Sequence, residues 1–168
     1  MHPWADMVRF ARSGGEINSV AVRIARASSG KDKIAICGYH GWHDWYLSAN
    51  LKSKKNLDSQ LLPGLEPLGV PKKLKGLVIP FRFNNFDDLE KVVKKNVKNC
   101  AAIVLEPCRD LLPKKNYLHE LREIANKNDC ILIFDEITCA WRLDTSGAHK
   151  NFGVNPDIAV FGKTMANG

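Results

Sequence analysis

Residues 130–142 read CILIFDEITCAWR. After Cys130, the apolar run 131–134 passes straight into two acids, Asp135 and Glu136, before apolar character resumes at Ile137. A short continuous apolar run of this kind reads as a strand buried on both faces, as in a parallel sheet. A carboxylate where such a strand stops needs something positive to answer it, because burying an unpaired charge is costly. For a lone acid, capping the turn that follows the strand is sufficient reason.

Similar runs recur at KIAIC (33–37), GLVIP (76–80), AAIVL (101–105) and DIAVF (157–161). Helical patterns lie between several of them. Over 16–29, Ile17, Val20, Ala21, Ile24 and Ala25 share one face and Gly30 stops the helix. Over 86–98, Asn85 is the expected cap and Phe86, Leu89, Val93 and Val97 share a face. Over 116–128, Leu118, Leu121, Ile124 and Ala125 do the same. Buried strands alternating with amphipathic helices predict an α/β domain with a mostly parallel sheet flanked by helices. Residues 51–75, rich in Lys, Pro and Gly, read as a long surface connection.

Composition sets the outer bounds. The 168 residues are 45% hydrophobic and 26% charged, an ordinary globular balance. No apolar run approaches the roughly 18 residues of a membrane helix, and MHPWADMVRF lacks the order of a signal peptide. Five cysteines without a CxxC pair predict reduced, buried thiols in a cytoplasmic protein. The net charge of +7 comes from lysines at 51–55, 72–75, 94–98 and 113–115. Few aromatics lie among them, so a solvated lysine surface is expected and not a nucleic-acid interface.

In an open α/β sheet, ligands bind beyond the carboxyl ends of the strands. There this chain places Glu106-Pro107, Asp135-Glu136, Gly162-Lys163 and, after KIAICG, Tyr39-His40-Gly41. An aromatic such as Tyr39 can stack on a planar ring, and His40 can hydrogen-bond. Within YHGWHDW, an HxxHD metal reading lacks further well-spaced ligands, and Trp42 and Trp45 read as packing residues. Glu136 reads as a cap or an outer supporting group. Ahead of the first helix, Ser13-Gly14-Gly15 can offer backbone N–H groups to an anion. Ser13-x-x-Glu16 also fits a capping box, and the two readings are compatible. A phosphate for the helix start, a flat ring for Tyr39, a basic ring nitrogen for Asp135 and an aldehyde for Lys163 are together the features of pyridoxal 5′-phosphate.

The stretches MVRFARSGGE (7–16), RIARASSGKDKIAICGYHGWHD (23–44), AAIVLEP (101–107), ILIFDEITCAWR (131–142) and NPDIAVFGKTMANG (155–168) carry a family resemblance. The sequence resembles the class III aminotransferases among the fold-type I pyridoxal-phosphate enzymes, most of all the glutamate-1-semialdehyde aminomutase-like branch. The resemblance implies a partial large domain of that fold over 1–168, with the N-terminal segment and C-terminal small domain absent. It implies that Lys163 is the Schiff-base lysine and that Asp135 pairs with the pyridine nitrogen. It implies that Ile137 presses on the ring face opposite Tyr39, that Gly14 and Gly15 hold the phosphate, and that Glu106 orients its neighbours. The expected activity is amino-group transfer, as a transaminase or an aminomutase, between a small-molecule amino donor and acceptor in a homodimer. The alternative is a remnant that keeps the fold without activity. Two departures from the family's pattern are Gly15 where threonine is usual and Ala166-Asn167-Gly168 where a glycine run is usual.

Overall fold

In the computed structural model, which describes residues 1–60, 62–96 and 98–166, the five apolar runs become five strands. They are β1 (Lys33–Cys37), β2 (Val78–Pro80), β3 (Cys100–Leu105), β4 (Ile131–Asp135) and β5 (Ile158–Val160). The sheet order is β2-β1-β3-β4-β5, and every neighbouring pair is parallel. Parallel strands need crossovers to return the chain to the same edge. Helices α1 (Gly14–Ser29), α3 (Phe86–Lys95) and α4 (Tyr117–Lys127) lie between strands or before them, and the four-residue helices α2 (Asp44–Leu47) and α5 (Ala148–Asn151) follow β1 and β4.

The pleat divides the core into two halves. Ala35, Cys37, Ile103, Leu105, Leu132 and Phe134 face α3 and α4, where they meet Leu89, Val93, Leu118 and Leu121. Their neighbours Ile34, Ile36, Val104, Ile133 and Val160 face α1 and α2, where they meet Ala21, Val22, Ala25 and Trp45. Alternate side chains therefore serve opposite layers, which is why the strands read as unbroken apolar runs. β4 continues one residue into the acids, so that Asp135 pairs with Val160 of β5.

Several sequence-based boundaries shift. α1 begins at Gly14, with Ser13 Oγ accepting from the Glu16 N–H at 3.3 Å. Glu16 reaches back to the N–H of Arg12 at 2.9 Å, one residue before the cap. The buried stripe of α1 is Asn18, Ala21, Val22 and Ala25, whereas Ile24 is 43% exposed. Two alanines on that stripe let the helix lie close to the sheet, while Ile17 is half-buried against the same core and Ile24 turns outward. Asn85 caps α3, accepting from the Asp88 N–H at 3.0 Å. The expectation for Val97 falls outside the described residues. β5 is shorter than DIAVF because the Asp157 carboxylate instead accepts from the Leu132 N–H at 2.7 Å and from Arg122 at 2.8 Å.

The segment 51–75 is pinned and is not a bare surface loop. Leu57 is fully buried, and Gln60 accepts from the Gly38 N–H at 2.8 Å while donating to the Phe81 carbonyl at 3.1 Å. Trp45 packs in the core with its indole N–H on Ser19 Oγ, but Trp42 follows the left-handed Gly41 outward and is 66% exposed. All five cysteines are free and buried. Among the described residues, no helix is long and apolar enough to cross a membrane.

Leu121 is fully buried between α4 and the sheet. Leu121→Ala should cost about 2–5 kcal/mol of unfolding free energy by chemical denaturation, with the m-value unchanged.

Candidate active site

All the expected site residues arrive at the carboxyl edge of the sheet. Asp135 is the last residue of β4 and is only 3% exposed. Because Ile133 faces the α1 layer, the pleat carries Asp135 to the same layer two residues later. Three donors meet it there. Asn18 Nδ2 lies 2.7 Å from Oδ2, His40 Nδ1 lies 2.9 Å from Oδ2, and the Ile137 N–H lies 3.2 Å from Oδ1. His40, itself buried, spans from this carboxylate to the Cys37 carbonyl at 3.2 Å. The last of the three donors is the turn-capping contact that a lone acid at this position would make.

Glu136, one residue on, goes the other way. It is fully buried and accepts from His149 Nδ1 at 2.6 Å, from the His149 N–H at 3.1 Å and from the Ala148 N–H. His149 Nε2 in turn accepts the indole N–H of Trp4 at 3.3 Å. Glu136 therefore caps α5 and ties it to the start of the chain, as the supporting role predicts.

The N-terminus of α1 closes over the same edge. Gly14 and Gly15 are its first two residues, and among the described residues no group accepts from their N–H. A methyl on Gly14 would stand 2.7 Å from Ile137 Cδ1. Gly41, at φ +99°, brings its Cα so near Gly15 that a methyl there would meet Gly15 Cα at 2.5 Å. These glycines leave a backbone-lined cradle with two open donors and the positive end of a helix dipole. Ser13 caps the helix beside it.

Tyr39 is held by its backbone, whose N–H donates to Glu106 Oε2 at 3.0 Å. Glu106, itself buried, also accepts from Arg109 at 3.2 Å. A cavity of about 170 Å³ opens beside this pair, lined also by Gly38, Gln60 and Phe83. The Tyr39 ring stands edge-on to Tyr46, with centroids 5.9 Å apart.

Lys163 follows β5 and is exposed, with its Nζ donating to Thr138 Oγ1 at 2.8 Å. Its φ of +48° lies in the left-handed region, which non-glycine residues enter rarely. Thr164 Oγ1 donates to the Ala140 carbonyl at 3.0 Å and ties this turn to the segment after β4. Asp135 and Lys163 share the edge of adjacent strands without touching. Burial pushes the thiols of Cys37 and Cys139 well above their ordinary range. Among the described residues, no group of three or more His, Cys, Asp and Glu is arranged to hold a metal.

Two residues in this site escape the sequence reading. Asn18 adds nothing to the apolar periodicity of α1, although its spacing to Ala21, Val22 and Ala25 marks it as the polar member of the buried stripe. Thr138 lies three residues after Asp135, and nothing in the sequence marks it as the partner of a lysine.

The family model for class III aminotransferases matches residues 1–168. The chain is 37% identical to the 3-aminobutyryl-CoA aminotransferase of Cloacimonas acidaminovorans over 99% of its own length and 37% of that protein. It is 38% identical to the glutamate-1-semialdehyde 2,1-aminomutase of Ignicoccus hospitalis, again over 99% of this chain and 40% of that one. A solved transaminase with PLP bound superimposes with a TM-score of 0.82 at 29% identity, covering 97% of this chain and 38% of its own. The chain thus spans about two fifths of the length of the proteins it matches.

Glu136→Gln keeps the shape but loses half of the acceptor capacity that three donors use. Buried donors left unpaired cost about 1–3 kcal/mol, so the variant should unfold at a lower temperature. Calorimetry checks this, and an unchanged transition would mean that Glu136 does not anchor α5.

Proposed function

The chain belongs to the class III aminotransferase family, and we propose that its carboxyl-edge site holds pyridoxal 5′-phosphate and uses Lys163 to move an amino group between small molecules. The observation that carries this reading is the convergence of three unlike groups on one edge. An open anion cradle, a buried carboxylate and an amine stand on α1, β4 and the segment after β5. Family members are pyridoxal-phosphate enzymes. The cofactor, when bound, supplies an electron sink that stabilises negative charge at the amino acid's Cα.

The residues of this chain do the rest. Gly14 and Gly15 offer their N–H groups to the phosphate, and the helix dipole adds to the attraction. The two N–H groups without an acceptor among the described residues support this; Gly14 itself is required by packing, since a Cβ there would stand 2.7 Å from Ile137 Cδ1. Asp135 would accept a hydrogen bond from the protonated ring nitrogen, and its Oδ1 has capacity for it, taking only the Ile137 N–H at 3.2 Å from within the protein. An anion held there favours the protonated ring. Tyr39 and Ile137 bracket the ring, and Glu106 fixes the backbone of Tyr39. Lys163 would provide the primary amine that condenses with the cofactor's aldehyde with loss of water, and, once released by the substrate amine, would carry the Cα proton. Its hydrogen bond to Thr138 orients the amine before the ligand arrives.

In this reading the chain is the cofactor-binding part of the large domain of a cytoplasmic homodimer. Exposed apolar side chains at Met7, Val8, Phe10 and Trp42 are suited to a subunit or domain contact. Buried free thiols suit a reducing compartment.

Borohydride reduction of the intact protein loaded with pyridoxal phosphate should fix the cofactor to residue 163, read by mass spectrometry of the tryptic peptides. Lys163→Ala should abolish that adduct and amino transfer together. Asp135→Asn should keep the adduct but lower kcat/KM by about 10²–10³, the scale of a lost preorganised charge. An adduct on another lysine, or normal turnover in Lys163→Ala, would remove Lys163 from the mechanism.

A further inference from the structure

Asn18 is an anomaly in its surroundings. It is 1% exposed, on the stripe of α1 that otherwise carries Ala21, Val22 and Ala25. Its Nδ2 donates to Asp135 Oδ2 at 2.7 Å, but its Oδ1 is buried with no hydrogen-bond partner. The orientation of the amide follows from its partner, since an ionised carboxylate only accepts and the nitrogen must face it. A packing residue would not leave an acceptor orphaned, because burying an unpaired polar atom is unfavourable. The side chain is committed to the acid at the expense of its own oxygen.

The placement on the helix adds the second half of the argument. Asn18 lies one turn beyond Gly14, so the open N–H groups of α1 and the amide that grips Asp135 sit on one rigid body. His40 shares the grip on Oδ2, but from a loop. We infer that Asn18 is a positioning residue: its amide turns the Asp135 carboxylate so that Oδ1 faces a cationic ring nitrogen, from the same helix whose N-terminus takes the anionic end of that ligand. The inference rests on the proposed pyridoxal-phosphate site. Asn18 touches neither substrate nor cofactor in this role. It sets the direction and charge density of the acid and couples the two ends of the ligand through α1.

Asn18→Leu removes the donor with little change in shape, and Asn18→Ala removes it in the smallest and most helix-favouring form. The readout is the ¹⁵N resonance of ring-labelled pyridoxal phosphate bound to the intact protein. With the amide gone, negative charge on the carboxylate is less dispersed and draws the ring proton toward oxygen. The ¹⁵N signal should then move toward that of neutral pyridine, and kcat should fall about tenfold or more at nearly unchanged KM, as for other outer supporting partners. Cofactor affinity through the phosphate should stay close to that of the unaltered protein. A wild-type ¹⁵N signal in either folded variant overturns the role of Asn18, even if stability drops. If neither variant folds, the side-chain amide resonance of Asn18 in the unaltered protein decides. It should move on adding pyridoxal phosphate and not on adding inorganic phosphate, and an unmoved resonance overturns the inference. Failure of the unaltered protein to bind pyridoxal phosphate would sink the proposed function itself. Binding with a protonated ring in wild type and variants alike would sink only this assignment.

Discussion

A carboxylate buried to 3% exposure is the constraint from which the carboxyl edge follows. Burying a carboxylate is costly unless donors replace the water it has lost. The protein supplies an amide from α1, an imidazole from the loop after β1 and a peptide N–H from its own turn. Each donor fixes the element that carries it. Asn18 brings α1 down onto the end of β4, and His40 pulls the loop after β1 over the same spot. The close approach of that loop to the helix start is possible only because Gly15 and Gly41 have no side chains in the way.

The two adjacent acids show how far the pleat decides chemistry. Residues 135 and 136 differ by one methylene and one position, yet alternation sends them to opposite layers. Asp135 meets α1 and the open cradle. Glu136 meets Ala148, His149 and, through the histidine, Trp4. One acid leaves Oδ1 with a single donor from the protein, and the other takes three donors from α5. The same strand end thus carries the proposed cofactor partner and a structural anchor, with no further machinery needed to tell them apart.

The strands were legible because burial on both faces leaves continuous apolar runs, and Asp135 stood out as the break in one of them. The helices were legible from their spacing, but their docking was not. Ile24 belongs to a regular apolar pattern and is still exposed, because the small residues Ala21 and Ala25 give the closer fit to the sheet. Asn18 was invisible to a search for apolar faces, and its value depends on a contact 117 residues away in sequence. Gln60 was equally hidden: a segment with loop composition is held in place by one side chain that bonds two backbone groups. Trp42 illustrates the reverse error, since large apolar residues often stay at the surface. Such contacts between distant elements leave no local periodicity to read.

In the proposed site one ligand spans from the N-terminus of α1 to Asp135, with Lys163 reaching it from the segment after β5. A crystal structure of the intact protein soaked with pyridoxamine phosphate tests it directly. The phosphate should lie on the N–H groups of Gly14 and Gly15, and the ring nitrogen about 2.8 Å from Asp135 Oδ1, the usual length of a charge-assisted bond. A ring nitrogen that faces another group, or a phosphate held away from the α1 cradle, would contradict it.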